Sequence, residues 1–339
     1  MTTLGVGGPA KYFVRAEAEA DIAEAFSFSQ AEKLNVFILG GGSNILVADA
    51  GFDGLVIQVS LKGIEVAGPT EDGRRIVTAA AGENWDLFVA YCVGQNLAGI
   101  ECLSGIPGSV GGTPVQNVGA YGQDVSESII SVRCFDRDRG EIVTLSRDEC
   151  GFEYRSSIFN TSHRDTLIVL NVMYGLREGG RPKIVYKDLI GHFSGKTPDL
   201  SETRRAVLDI RRSKSMVIEP GDPNSQSVGS FFKNPVVGRE KFDKIAAASL
   251  GVVPSFPSDH GKVKIPAAWL IENAGFHKGF RMGNAGISTK HTLAIVNCGG
   301  ATASDILSLK NAVQTAVLER FGIELQPEPV FVGHPLQNS

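Results

Sequence analysis

No apolar run in the chain approaches the roughly 18 residues that a membrane-spanning helix needs. Met1 to Ala10 also lack the basic start and apolar centre of a secretory leader. Both absences point to a cytoplasmic protein that does not engage a membrane. Charge of one sign is missing as well: 33 basic residues stand against 37 acidic ones, for a net charge of -4, and neither sign forms a block. This excludes a nucleic-acid or membrane-surface partner held by bulk charge. Cysteine is scarce. The five present (Cys92, Cys102, Cys134, Cys150, Cys298) are odd in number and widely spaced, with no C-x-x-C or Cys/His pattern. They are expected to be reduced core residues, with no metal. No internal repeat or low-complexity tract occurs, and a monomer is expected. Two common phosphate-binding fingerprints are absent too, the G-x-G-x-x-G helix start and the P-loop G-x-x-x-x-G-K-[ST]. Neither a classical dinucleotide site nor an ATP site is therefore supported.

What the chain does have is glycine, 40 of 339 residues, with 42% apolar residues around it. That length exceeds what a single hydrophobic core usually serves, so two or three units are expected. Residues 20–34 place Ile22, Ala25, Phe26 and Ser29 on one helical face, and Val36–Leu39 reads as a strand running into Gly40-Gly41-Gly42-Ser43-Asn44. A second α/β unit follows. Its strand lies at 75–79, Asn84 suits the N-cap of the next helix, and Trp85, Phe88, Val89, Cys92 and Val93 form that helix's inner face. Strands at 130–135, 142–145 and 167–173 suggest an antiparallel sheet, and a helix is expected near 201–212. Pro220–Ser227 marks a boundary by its turn-forming residues. Beyond it come helices at 239–250, from Pro266 to Gly275 and from Ser304 to Gly322, a strand at 293–297 and a last strand at 328–332.

Two glycine-rich loops carry the chemistry. In Gly40–Asn44, successive backbone N–H groups after a strand can cradle an anion, and bare Cα atoms let a pyrophosphate come close. The second, Gly105-Ile106-Pro107-Gly108-Ser109-Val110-Gly111-Gly112, leads into Asn117-Val118-Gly119-Ala120-Tyr121-Gly122. Taken alone, each loop could equally be a plain turn; together they could grip two ends of one long cofactor. Tyr154-Arg155 sets a guanidinium fork beside an aromatic ring, suited to a carboxylate or a carbonyl edge, although an ordinary surface arginine reads the same way. Gly229-Ser230-Phe231-Phe232-Lys233-Asn234-Pro235 places a hydroxyl, an ammonium and an amide beside two apolar rings. That mixture suits a dry pocket, or simply a strand end. Glu328 sits between Pro327 and Pro329 on stiffened backbone.

GGGSN at 40–44, GIPGSVGG at 105–112, NVGAYG at 117–122, YRSSIF at 154–159 and GSFFKNP at 229–235 together resemble the UDP-N-acetylenolpyruvoylglucosamine reductase family of cell-wall synthesis. The likeness spans nearly the whole chain. It implies an α+β protein with a vanillyl-alcohol-oxidase/PCMH-type FAD-binding fold and a C-terminal reductase substrate domain. The implied layout is FAD-binding subdomains at 1–60 and 61–214 and a substrate-binding domain at 215–325, with the final strand, 326–333, free to rejoin the second subdomain. It implies noncovalent FAD, NADPH as co-substrate, a sugar-nucleotide substrate and a place in peptidoglycan precursor synthesis. Cofactor contacts would fall on Gly40, Gly41, Gly42, Ser43, Asn44, Ile106, Ser109, Gly112, Asn117, Gly119, Tyr121 and Arg211. Arg155, Ser230 and Glu328 match the catalytic trio. Tyr186 and Lys214 match residues that hold the substrate's diphosphate, with Lys233, Asn234 and His291 as further substrate contacts. Tyr186 further resembles the lid tyrosine of the class that closes a loop over substrate. Two departures stand out: a single carboxylate in Gln326-Pro327-Glu328, and an insertion from Ser215 to Ser227 before the serine motif.

Overall fold

The structure is a computed structural model that describes residues 2–70 and 72–334. It divides into two units: residues 10–42 with 52–217, and residues 43–51 with the stretches before residue 10 and after residue 217.

In the larger unit the first sheet is parallel. Phe52–Val59 lies between Ala10–Ala16 and Asn35–Leu39, and the helix Glu19–Ala31 buries the expected Ile22, Ala25, Phe26 and Ser29. The second sheet is the expected antiparallel one, ordered Glu141–Ser146, Ile129–Asp136, Leu167–Glu178, Arg74–Ala80, Ile64–Pro69. Its longest strand, LIVLNVMYGLRE, is apolar enough to hold the centre, as a strand covered on both faces should be. Asn84 does cap the helix Trp85–Gly94, its Oδ1 accepting from Leu87 N at 3.0 Å. Trp85 at that helix's start donates its Nε1–H to Leu103 O at 3.0 Å, which ties the second glycine-rich segment to the core. From Ile100 to Ser104 the stretch that leads into this loop is fully buried or nearly so, with a single helical turn at Glu101–Leu103. Cys92, Cys102 and Cys150 are buried, and desolvation pushes their thiols up to about 12.

In the smaller unit Ser227–Ser230, Ala294–Asn297, Ala285–Ile287 and Arg281–Met282 pair in that order, backed by the helix Ala303–Phe321. Thr302 and Asp305 form a capping box at the helix start, Asp49 also accepts from Ala303 N and Ser304 N, and left-handed Gly322 (φ 62°) ends the helix. The last strand, Val330–Val332, is shorter than expected. It runs parallel to Ile45–Val47, directly after the first glycine run, and so does not rejoin 61–214. The helix expected at 239–250 stops at Ala248 because Ser249 turns extended (ψ 145°), ahead of Gly251.

Candidate functional site

Within the larger unit the two glycine loops meet. A Cβ on Gly41 would fall 2.7 Å from Gly108 Cα, and one on Gly111 would fall 2.6 Å from Ala81 Cβ. Trp85 N donates to Gly108 O at 3.1 Å and Val110 N to Glu83 O at 2.9 Å, so the loop is pinned to the start of the helix Trp85–Gly94. Ile106 is half-buried, Ser109 is buried and Gly112 is exposed. Ser43 and Asn44 belong to the smaller unit, where Asn44 Nδ2 donates to Glu328 O at 3.1 Å and Val330 N donates to Asn44 O at 3.0 Å.

The hairpin Gly119–Ala120 to Gln123–Asp124 turns through Tyr121 (φ 51°) and Gly122 (φ 80°), the two positive dihedrals a tight hairpin of this twist needs. Arg155 is also left-handed (φ 54°), in a turn closed by Glu153 N to Ser156 O at 3.0 Å. Of its guanidinium, Nη2 donates to Gly119 O at 2.5 Å and Nη1 to Asn117 O at 3.4 Å, and Asp124 lies 4.0 Å away. Asn117 (φ 42°) is buried and donates to Glu153 O at 2.9 Å. Asn117, Gly119 and Arg155 are therefore brought together, with the Arg155 fork fixed before any ligand arrives.

Behind the hairpin lie Tyr186, Lys214 and Arg211. The rings of Tyr121 and Tyr186 meet edge to face at 5.4 Å. Lys214 Nζ reaches Asp188 at 2.8 Å; burial lowers its affinity for the proton, but that pairing prevails and holds the ammonium above its ordinary value. Arg211 is 6% exposed and donates from Nη2 to Met216 O at 2.6 Å, while its Nε has no hydrogen-bond partner among the described residues. A buried, unsatisfied guanidinium N–H is costly by about 1–3 kcal/mol. An anion or carbonyl of a bound cofactor would remove that cost. This orphan donor is the feature of these residues that fits FAD; the glycine approaches, made to Gly108 and Ala81, show why no side chain is tolerated where the loops pack.

In the smaller unit Ser230 ends its strand with Oγ 3.5 Å from His291 Nε2. Glu328 N donates to Phe231 O at 2.9 Å and Lys233 N to Gln326 O at 2.9 Å, so the serine and glutamate motifs pair through one antiparallel bridge, Phe232 to Pro327. Ser230, Glu328, Lys233 and His291 are gathered there. Asn234 spends its Oδ1 on Ala267 N at 2.8 Å, the start of the helix Ala267–Asn273. The two phenylalanines correct the sequence reading. They are 0% and 2% exposed inside the hydrophobic core of this unit, so they anchor the motif rather than wall an open pocket. Sequence reasoning also missed Asn224, in the inserted segment. Its Oδ1 accepts from Thr289 N at 2.8 Å and from Ser288 Oγ at 3.1 Å, and Ser288 Oγ in turn accepts from His291 N at 3.3 Å.

Residues 10–146 match the family described as FAD binding domain, and residues 222–332 match the C-terminal domain of UDP-N-acetylenolpyruvoylglucosamine reductase. Curated reductases of that name are similar along nearly the whole chain. The relative from Saccharopolyspora erythraea is 46% identical over 98% of this chain and 93% of its own, and that from Thermobifida fusca is 44% identical over 98% and 95%. The crystal structure of the Thermus caldophilus reductase superposes with a TM-score of 0.68 at 26% identity, covering 98% of this chain and 95% of that one.

Proposed function

Because the chain belongs to the UDP-N-acetylenolpyruvoylglucosamine reductase family, we propose that its own residues carry the reduction of the enolpyruvyl group of UDP-N-acetylglucosamine-enolpyruvate, in peptidoglycan precursor synthesis. It is an FAD-dependent oxidoreductase with NADPH as reductant. FAD supplies the hydride relay that carries two electrons from NADPH to the sugar nucleotide. The chain supplies everything else.

Gly40–Gly42, Ile106, Ser109, Gly112, Asn117, Gly119 and Tyr121 hold the cofactor, helped by Ser43 and Asn44, and Arg211 turns its orphan Nε–H toward it. Residues 10–146 then serve the flavin and 222–332 the substrate. Tyr186 and Lys214 bind the diphosphate. Asp188 keeps Lys214 charged and extended until phosphate oxygens take its place. Hydride addition to the terminal enolpyruvyl carbon leaves negative charge spread into the carboxylate. The Arg155 fork, fixed in place by Gly119 O and Asn117 O, stabilises that charge with no reorganisation at the moment of reaction. Glu328 polarises the same charge-bearing group as Arg155, and Ser230 Oγ then donates the proton to the adjacent carbon as general acid. Lys233 and His291 complete the substrate contacts. Asn234 contributes by fixing the helix that follows.

The observation that supports this reading is the bond from Glu328 N to Phe231 O at 2.9 Å, which brings the glutamate motif against the serine motif one residue past Ser230. An oxidase acting on alcohols or sugars has no use for such a serine and carboxylate pair. The test is anaerobic stopped-flow: enzyme bleached by NADPH, freed of NADP, is mixed with the enolpyruvyl sugar nucleotide. Return of the oxidised flavin absorbance with formation of the muramate product is expected. Reoxidation by dioxygen alone, with none by the sugar nucleotide, would overturn the reading.

A further inference from the structure

Glu101 is 1% exposed, yet it belongs to neither glycine loop nor the catalytic trio. Its carboxylate collects N–H donors from three segments. Oε2 accepts from Gly99 N at 2.7 Å; Oε1 accepts from Lys183 N at 3.0 Å and from Gln123 Nε2 at 3.3 Å. Gln123, itself 3% exposed, accepts from Cys102 N at 2.9 Å, and Cys102 Sγ donates to Lys183 O at 3.3 Å. Each of the three segments leads to a part of the proposed site. Gly99 opens the run into the second glycine loop. Gln123 begins the hairpin strand directly after the Tyr121–Gly122 turn. Lys183 lies three residues before Tyr186, in a stretch without helix or strand until Lys187.

A buried carboxylate is costly unless its oxygens are satisfied, and three donors satisfy this one. Having been satisfied in this way, it cross-links the chain that carries Tyr121 to the chain that carries Tyr186. The contacts beyond the cross-link are close: the two tyrosine rings lie 5.4 Å apart, and a Cβ on Gly122 would fall 2.5 Å from Val185 Cγ2. The Lys183 end is held besides by its Nζ on Glu127 at 2.7 Å and by Ile184 against a small core cluster, whereas Val185 and Tyr186 are 57% and 42% exposed.

We infer that Glu101 is a positioning residue for substrate binding, which sets Tyr186 against Tyr121 through the Lys183 amide and the Gln123 side chain. This rests on the reading above that Tyr186 binds the sugar nucleotide. Glu101 touches neither substrate nor flavin; it acts through Tyr186.

Glu101→Gln preserves the shape but leaves a single acceptor oxygen for three donors. The expected result is a KM for the enolpyruvyl sugar nucleotide raised about tenfold, the scale of losing a buried hydrogen bond to a charged acceptor, with kcat and FAD content unchanged. Tyr186→Phe alone should also raise KM, and adding Glu101→Gln to it should produce no further rise. If Tyr186→Phe leaves KM unchanged, the assignment of Tyr186 to the substrate fails, and the inference with it. If Tyr186→Phe raises KM but Glu101→Gln does nothing, or raises it equally in both backgrounds, only the positioning role fails. Should Glu101→Gln be insoluble, Gln123→Met cuts the same cross-link from the hairpin side and carries the same expectation. Insolubility of both, or loss of FAD in either, would make the cluster a folding element and overturn the inference.

Discussion

Asn117–Gly122 and Tyr154–Arg155 are bent into left-handed backbone at Asn117, Tyr121 and Arg155, none of them glycine. Gly229–Pro235, by contrast, leaves the end of a strand at Ser230 with Phe231 and Phe232 sealed in the core, and only Gly229 (φ 77°) is left-handed. Each strained residue costs about 1–2 kcal/mol, so the first region persists only because surrounding contacts over-determine it: Asn117 to Glu153, Arg155 to Gly119, Glu101 to Lys183. The second region needs no such support, since apolar burial and backbone pairing hold it. One region therefore fails through lost space or a lost hydrogen bond, the other through lost packing. Their chemistry should separate from their stability in opposite ways.

The largest expected effect tests the packed region. Phe231→Ala removes a fully buried ring and should destabilise the protein by roughly 3–5 kcal/mol. Chemical denaturation measures this, and a loss below about 1 kcal/mol would mean the motif is not core-anchored. Next to it, Ser230→Ala removes an oxygen whose side-chain neighbour is His291 at 3.5 Å, the outer limit of a hydrogen bond. Stability should hold, while reoxidation of the reduced enzyme by the sugar nucleotide slows by about 10²- to 10³-fold and bleaching by NADPH does not. Equal losses in both half-reactions would make Ser230 structural and erase the distinction within this motif.

In the strained region the sensitive atom is one that is absent. Gly119→Ala would drive a Cβ into the Asp124 carboxylate and to 2.9 Å from Arg155 Nη1, the nitrogen that donates to Asn117 O. Displacing a preorganised charge-stabilising fork should cost about 10²-fold in turnover, with little change in global unfolding. Gly221→Ala is the control. There the φ of 88° is strained but the space is open, so stability alone should fall, by about 1 kcal/mol. Turnover of Gly119→Ala at the level of the control would show that Arg155 is not held by this hairpin.

These regions were not equally legible in the sequence. The helix Trp85–Gly94 announces itself by Asn84 and by five apolar residues on one face, and all five are buried. The strand Ala10–Ala16 does not, because Lys11, Tyr12 and Phe13 are exposed and only Ala16 is buried, which leaves no alternation to read. The seven-residue helix Lys187–Phe193 buries Leu189 alone, too little for a periodic signal. Glycine loops could be read as bare backbone, and their meeting at Gly41 and Gly108 follows that reading. Arg155 and Tyr121 in left-handed backbone could not, since neither residue type favours it. Nor could Glu101: a carboxylate in Glu101-Cys102-Leu103 looks like any solvated glutamate, and two of its three donors, Lys183 N and Gln123 Nε2, come from segments that only the fold assembles. Phe231 and Phe232 misled for the converse reason. Apolar rings beside polar groups describe a pocket wall and a core anchor equally well.

The smallest expected effect separates the regions by pH. Asp86 accepts from Arg204 Nη1 at 2.6 Å and Nη2 at 2.9 Å, and from Gly105 N at 2.6 Å at the start of the second glycine loop. Burial works against its ionisation, but Arg204 and the Gly105 N–H outweigh burial and hold the carboxyl below its ordinary 3.8. A depressed folded-state value means the stabilisation is fully present above the unfolded value, near 3.8, and is lost as pH falls through the lower folded one. Asp86→Asn should therefore lower stability by about 1–2 kcal/mol at neutral pH, and the difference from the parent should shrink below about pH 4. Thermal melts of both proteins across that range measure it, alongside FAD retention, since Gly105 loses an acceptor in the same step. A difference that stays constant into acid would mean that the lost contact is steric rather than ionic. A loss as large as that of Phe231→Ala would mean the glycine-loop region depends on single buried contacts as heavily as the serine motif depends on its core, and the contrast between strained and packed regions would fall.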